Sequence, residues 1–457
     1  MKGAIDMSEL LTVILAAGKG TRMKSDKIKV LHKVAGKAML KHVISALDSL
    51  KTEIVCVVGH QKDEVKNEVN GSSINYVVQN KQLGTGHAVK QAESYIEKHS
   101  GPVVVLYGDI PLLRSETVQL FIEEHKNSYS DLTIMTAELD DPAGYGRIVK
   151  NSSNMVKEVV EEDDADFETR KITEINSGVY CFDSELLADF LKNMNNNNAQ
   201  GEYYLTDAVE YASQKNKKII TYKIDDPEEI LGVNTRFHLV RAEKILRKRT
   251  IEKHMDNGVT IIDPDNTYID SEVEIGKDTI VYPFTYLEGS TKIGKNSIIG
   301  PHSRLVSAKI GENVELLSHS IIKESSVDDN TKVGPFAYLR PGCRIGSGCK
   351  VGDFVEMKKA VVGDTSKVPH LSYVGDAEIG ERCNIGAGTI FANYDGKNKH
   401  KTKVEDDAFI GSNSVLVAPL KIGSGAKTGA GSVVTKDVEA DTTVIGVPAR
   451  VYKKKQD

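Results

Sequence analysis

The sequence predicts two fold classes in series: an α/β domain with a mostly parallel sheet, then a parallel β-helix of six-residue repeats. Three observations carry this. From about Ile275 to Val434 an aliphatic-glycine pair returns in phase, as Ile275-Gly276, Ile293-Gly294, Val333-Gly334, Ile345-Gly346, Val351-Gly352, Ile379-Gly380, Ile385-Gly386, Ile410-Gly411 and Ile422-Gly423. Upstream, short apolar runs alternate with amphipathic segments. Between the two lies one charged run, TRFHLVRAEKILRKRTIEKHMDNG, from Thr235.

The apolar runs TVILAAG, EIVCVVG, INYVVQ, VVVLYGD and LTIMTAEL begin at Thr12, Glu53, Ile74, Val103 and Leu132. Helical patterns such as KAMLKHVISALDSL from Lys37 and GHAVKQAESYIEKH from Gly86 separate several of them, so strands alternate with helices over a mostly parallel sheet. The run Asn195–Asn198 reads as a loop. A six-residue period fits neither a helix nor an alternating strand, but it fits a coil with three short faces per turn. The aliphatic residue fills the interior, and a small fifth residue (Ser297, Ala337, Cys343, Cys349, Ala426, Ser432) takes the tight inward position. The glycine is expected to serve the backbone angles of the corner. The expected organisation is a domain over 1–234, a connecting helix over 235–257 ended by Gly258, and a β-helix over 258–457.

At 457 residues the chain has room for two or three domains, and its net charge of −6 provides no global basic field for nucleic acid or a membrane surface. Phosphate binding must then come from local clusters. The five cysteines form no CxxC pair, and Cys343, Cys349 and Cys383 fall in the small inward slot, which makes them core thiols. Met1 to Leu10 is polar and charged, unlike a signal peptide, and no stretch approaches the roughly 20 apolar residues of a membrane span. The expected address is cytoplasmic. The tail Lys453–Lys455 is basic and expected to fray.

LAAGKGTRM, Leu15 to Met23, follows a strand and is rich in glycine and cations, so its backbone N–H groups with Lys19 and Arg22 suit a polyphosphate. It is neither a Walker loop nor a GxGxxG dinucleotide fingerprint. With Lys29 in KVLH, it resembles the signature of sugar-1-phosphate nucleotidyltransferases. QLGTGHA from Gln82, YGDIPLL from Tyr107, GYGRIV from Gly144, EINSGVY from Glu174, GEYYLTD from Gly201 and GVNTR from Gly232 extend that resemblance. Taken with the hexads, the whole chain resembles the bacterial bifunctional family that joins N-acetylglucosamine-1-phosphate uridylyltransferase to glucosamine-1-phosphate acetyltransferase.

That resemblance implies a Rossmann-like nucleotidyltransferase domain followed by a left-handed parallel β-helix, working as a homotrimer on small molecules: UTP, acetyl-CoA and the two sugar phosphates. Uridylyl transfer sets two anions against each other, so charge neutralisation and alignment dominate. The resemblance assigns Mg²⁺ to Asp109 and Asn234, and phosphate and transition-state charge to Arg22 and Lys29. It assigns UDP-sugar contacts to Leu15, Ala16, Ala17, Gly18, Lys29 and Asn234, the uracil to Gln79, Gly84 and Thr85, and the sugar to Gly146, Glu161, Asn176 and Thr206. One departure is Ile28, where the family often has proline before its lysine, which predicts a less rigid loop.

The hexad phase breaks twice, at VPHLSYVGD around His370 and at FANYDGKNKHKTKV from Phe391, and both breaks are expected to project as loops beside a site. An amine must lose a proton to attack a thioester, and histidine suits that task near neutrality. The resemblance makes His370 this base, and Arg340, Lys358, Tyr373 and Asn384 the contacts of the sugar phosphate. It assigns the acetyl-CoA groove to Ala387, Asn393, Tyr394, Ser412, Ala430 and Arg450, although VIGVPAR from Val444 lacks the arginine often found before its Val-Pro. A single-activity nucleotidyltransferase with a non-catalytic β-helix needs no His370, Lys358 or Asn393-Tyr394 loop. A translation exchange-factor scaffold of the same plan would lose Arg22, Lys29 and Asp109.

Overall fold

A computed structural model of the chain describes residues 10–59, 61–69, 74–198 and 200–452. Met1–Asp6 and the basic tail Lys453–Lys455 lie outside the described residues. Contacts divide the chain into Met1–Ile245 and Leu246–Asp457, and the helix Arg236–Asp256 runs across that division. Among the described residues no helix is long and apolar enough to cross a membrane.

The first unit is built on β1 (Leu10–Ala16), β2 (Thr52–Val58), β3 (Ile74–Val78), β4 (Pro102–Tyr107), β5 (Leu132–Glu138), β6 (Arg147–Lys150), β7 (Val156–Val160), β8 (Glu174–Asp183) and β9 (Ile219–Lys223). The strands lie in the order β9-β5-β8-β4-β1-β2-β3, with the β6–β7 hairpin attached through β6 to β8. β1 is parallel to β2 and β4, and β8 runs antiparallel between β4 and β5. Every residue of β1 is buried, because its alternating side chains feed two cores. Leu10 and Ile14 pack into one, Leu11 and Val13 into the other. With both faces covered, the open ground lies beyond the carboxyl ends of β1 and β4, where Gly108 N–H donates to the Leu15 carbonyl at 2.9 Å.

The second unit is a β-helix whose coils feed three sheets of twelve, ten and nine short strands. Aliphatic residues stack inside in register, as in Leu339↔Met357 and Met357↔Val374. The small fifth residues Ser297, Ala337, Cys343, Cys349, Ala426 and Ser432 are buried. Ser297 Oγ, like other inward hydroxyls, donates to a carbonyl of the next coil, that of Gly311 at 3.1 Å. All five cysteines are free and buried.

Two expectations are corrected here. Gly334, at φ 94°, does take the expected backbone angle, but the hexad glycines Gly276, Gly294, Gly386, Gly411 and Gly423 do not, since none of them has a positive φ. A Cβ on each would lie within 2.5–2.6 Å of backbone in the next coil, so close stacking demands them. Left-handed backbone falls two residues later, on Asp278, Asn296, Asn313 and their equivalents. The phase break at His370 also does not project as a loop. The strands Lys367–His370 and Tyr373–Gly375 continue the coil, in register with Lys350–Asp353 and Glu356–Lys358 of the coil before. The second break does leave the coil, closing through a bridge between Tyr394 and Lys399.

One corner carries bulky residues where the others carry polar or small ones. Phe284, His302, His319, Phe336 and Phe354 stack on successive coils, with ring centroids 4.7–5.2 Å apart. All have positive φ, as does Leu371 on the coil after them. On the next three coils the same position is taken by Gly388, Asn413 and Gly431.

Candidate active sites

A cleft of about 230 Å³ opens at the carboxyl ends of β1 and β4. Leu15, Ala16, Ala17, Gly18, Lys29, Gln79, Gly84, Thr85 and Asp109 line it, together with Gln82, Tyr107 and Glu202, which sequence reasoning did not single out. Gln82 Nε2 donates to the Ala17 carbonyl at 3.0 Å and so braces the glycine-rich loop. Gln79 Nε2 contacts the Gly84 carbonyl at 3.1 Å and His87 Nδ1 at 3.0 Å, which fixes the amide plane. Tyr107 is tied to the Thr85 hydroxyl, and burial pushes its pKa far up, so it stays a neutral phenol.

Lys29 sits on the single turn Lys29–Leu31. Its ammonium is hydrogen-bonded to Asp109 Oδ2 and lies 3.1 Å from Asn234 Oδ1. Two oxygens, drawn from residues far apart in sequence, therefore converge on one cationic atom. Among the described residues no group of three or more His, Cys, Asp or Glu side chains fits a metal. A carboxylate and an amide oxygen are ligands of the kind Mg²⁺ accepts, and Asp109 and Asn234 would supply them. Ile28, before the lysine, has φ −53°, a value that a proline ring also imposes. Arg22, on the turn Thr21–Met23, is exposed and does not line the cleft.

A second cluster gathers Gly146, Glu161, Asn176 and Thr206. Thr206 Oγ1 donates to Glu161 Oε1 at 3.1 Å, Asn176 N–H donates to the Gly146 carbonyl at 2.8 Å, and Glu161 Oε2 lies 3.3 Å from where a Gly146 Cβ would stand. Burial raises the pKa of Glu161. Asp207, first residue of the helix Asp207–Gln214, is pushed up to about 6, by burial first and then by Glu210 and Glu161. Beneath the cluster, the almost fully buried Arg147 binds Glu162 at 2.9 Å and the Tyr145 carbonyl. That clasp joins the two loops that hold Gly146 and Glu161.

On the β-helix, Arg340 pairs with Glu356 at 2.9 Å, and Glu356 stands in register with Tyr373 on the following coil. The Lys358 ammonium stands near that of Lys399. Its pKa is depressed by that contact first, with smaller shares from desolvation and Arg340. Lys399, on the protruding loop, was missed by sequence reasoning. The three cations concentrate positive charge here, tempered by Glu356 and Asp376. Asn393 Nδ2 donates to Asp376 Oδ2 at 2.5 Å, and both it and the Tyr373 hydroxyl crowd Gly375, where an added Cβ would come within 2.7 and 2.6 Å of them. Tyr394 is exposed on the loop, and Asn384 follows Lys367 in register.

His370, Ala387, Ser412 and Ala430 occupy equivalent corner positions on four successive coils. Gly388 N–H donates to the His370 carbonyl, Asn413 N–H to Ala387 and Gly431 N–H to Ser412, at 3.3, 2.7 and 2.8 Å. This is the corner of the aromatic ladder, whose bulky side chains give way to Gly388 after Leu371. His370 Nδ1 lies 2.5 Å from Asp353 Oδ1. Arg450 sits on the closing hairpin of Thr443–Gly446 and Ala449–Val451, opposite Ile445, with Nη1 on the Ala449 carbonyl at 2.8 Å. Among the described residues, Arg450 makes no hydrogen bond or ion pair to Ala387, Ser412 or Ala430.

Residues 11–227 match the family described as nucleotidyl transferase. Residues 272–306, 324–359 and 401–436 match the bacterial transferase hexapeptide family of six repeats. The chain is 51% identical over 449 residues to the bifunctional protein GlmU of Acetivibrio thermocellus, covering 98% of this chain and 97% of that one. It is 48% identical to the protein of the same name from Halalkalibacterium halodurans, covering 98% of each. The counterpart from Brevibacillus brevis is 47% identical, with 98% and 97% covered.

Proposed function

The chain belongs to the bifunctional GlmU family, and from that premise we propose how its two sites divide the synthesis of UDP-N-acetylglucosamine. The β-helix acetylates glucosamine-1-phosphate from acetyl-CoA, and the α/β unit then transfers UMP from UTP to N-acetylglucosamine-1-phosphate, releasing pyrophosphate. One observation supports this best: a single chain holds the Lys29–Asp109–Asn234 constellation and, separately, a histidine–aspartate pair with a three-cation cluster.

In the acetyl step Arg340, Lys358 and Lys399 hold the phosphate, and Tyr373, Asn384 and Asn393 orient the sugar. His370 takes a proton from the amine as its nitrogen bonds to the acetyl carbon, the carbon–sulfur bond breaks, and the thiolate is protonated to free CoA. Such base assistance is worth roughly 10²–10⁴ in rate. Ala387, Ser412 and Ala430, backed by Gly388 and Gly431, leave a shallow track for the pantetheine arm. Tyr394 and Arg450 contact the CoA.

In the uridylyl step Gln79, Gly84 and Thr85 read the uracil, and backbone from Leu15 to Gly18 meets the phosphates. Gly146, Glu161, Asn176 and Thr206 hold the sugar. Its phosphate oxygen bonds to the α-phosphorus of UTP while the bond to pyrophosphate breaks. Lys29 and Arg22 neutralise the charge that develops there. Asp109 and Asn234 hold Mg²⁺, which supplies additional neutralisation of the phosphate oxygens when bound.

The enzyme acts in the cytoplasm as a homotrimer. Two assays on purified wild type, His370→Ala and Asp109→Ala test the division of labour: CoA release with acetyl-CoA and glucosamine-1-phosphate, and pyrophosphate release with UTP and N-acetylglucosamine-1-phosphate. Each substitution is expected to abolish one product only. Wild type that makes pyrophosphate but frees no CoA would reduce the β-helix to a scaffold.

A further inference from the structure

His370 closes the strand Lys367–His370, and Asp353 closes Lys350–Asp353 one coil earlier, with the two residues in register. Their backbones are fixed independently of their side chains. Leu371 N–H donates to the Asp353 carbonyl at 2.9 Å, Gly388 N–H to the His370 carbonyl at 3.3 Å, and Ser372 Oγ to that same carbonyl at 2.8 Å. From this frame both side chains reach across one coil spacing and meet at 2.5 Å, Oδ1 to Nδ1.

The chemistry of the pair is directional. An ionised carboxylate can only accept, so Nδ1 must carry a hydrogen in either protonation state of the ring. The neutral imidazole is then the Nδ1–H tautomer, and the lone pair lies on Nε2. The His370 hydrogen bond, first among several causes, holds the Asp353 carboxyl below its usual range, so Asp353 remains ionised wherever the imidazole works as a base. On the three strands packed here, the outward-facing charges besides the pair are Lys350 and Lys367, and Asn384 is neutral.

We propose that Asp353 is the positioning residue of the acetyl site: it fixes the His370 ring with Nε2 free to take the amine proton and supports the imidazolium that results. This rests on the reading of His370 as the base. Asp353 itself touches no reacting atom. Its effect passes through the ring, as a carboxylate behind a histidine does wherever tautomer and basicity both matter.

The test is the pH profile of CoA release by the full chain, for wild type, Asp353→Asn, Asp353→Glu and His370→Ala. Asparagine keeps the shape but loses the charge, and its amide can turn to donate, favouring the wrong tautomer. Asp353→Asn is expected to lower kcat about tenfold or more, to change KM for glucosamine-1-phosphate less than threefold, and to move the acid limb of kcat to lower pH. Asp353→Glu is expected to restore the position of that limb. Thermal melting of the β-helix and pyrophosphate release report folding separately. The proposal falls if Asp353→Asn keeps the wild-type limb and a kcat within twofold while His370→Ala abolishes CoA release. Retention of CoA release by His370→Ala would instead overturn the base reading, leaving Asp353 nothing to position.

Discussion

The backbone N–H of Val233 donates to the carbonyl of Asp109 at 2.9 Å, and this one bond brings together the two oxygens that face Lys29. Asn234 is the next residue, so its side chain is delivered beside the Asp109 carboxylate although the two lie on different loops. Asn234→Ala is expected to raise the Mg²⁺ concentration for half-maximal pyrophosphate release about tenfold or more, with CoA release unchanged. A Mg²⁺ titration of both products checks this.

Lys399→Ala should raise KM for glucosamine-1-phosphate about tenfold while changing kcat little, because it removes a charge that binds ground state and transition state alike. It should also relieve Lys358, whose depressed pKa originates mainly in that neighbour. Wild type is then expected to take up a proton when it binds the sugar phosphate at alkaline pH, as the anion restores the lysine's charge. Calorimetry in buffers of different ionisation enthalpy should find that uptake reduced in the variant.

Asp207 gives a stability prediction. Its carboxyl moves from 3.8 to about 6 on folding, so between those values the folded chain binds more protons than the unfolded chain. Stability contributed here is present below pH 4 and lost as pH rises through about 6. Asp207→Asn should therefore stabilise the α/β unit at pH 7 by at most about 3 kcal/mol, and by less once the helix N-terminus that favours the charge is counted. Melting at pH 4 and pH 7 is the measurement, with a gain expected only at the higher pH.

Gly352→Ala addresses the coil. An added Cβ would stand 1.8 Å from the Pro369 carbonyl oxygen, an overlap only backbone movement can relieve. That movement displaces Asp353 and the strand of His370 together. CoA release should fall at least 10²-fold and the β-helix should lose about 3 kcal/mol or more, with pyrophosphate release intact.

The sequence made the hexad phase legible because each aliphatic residue is both periodic and buried, and Ile293, Leu339 and Val374 show this inside the coil. The glycine-rich loop was legible because chemistry constrains several neighbours at once. Lys399 was not, since KNKHKTK offers several equivalent lysines and only the fold of the loop selects one. Asp353 was hidden for a different reason: its link to His370 is a matter of coil register, and a shortened step between Glu356 and Val361 shifts that register by one residue. The role of the hexad glycine was misjudged because sequence reveals the absence of a side chain, not whether torsion or crowding demands it.

The coils also differ in how replaceable they are. No residue proposed for the acetyl site precedes Arg340. Ile280 stands in register with Ile298, and excising the stretch from one to the residue before the other would bring matching edges together. Between Asp353 and Ala430 the same operation would part neighbours that must touch. The shaft thus resembles a ruler with blank divisions at one end and engraved ones at the other, and its length is open to evolutionary change only in whole divisions and only at the blank end.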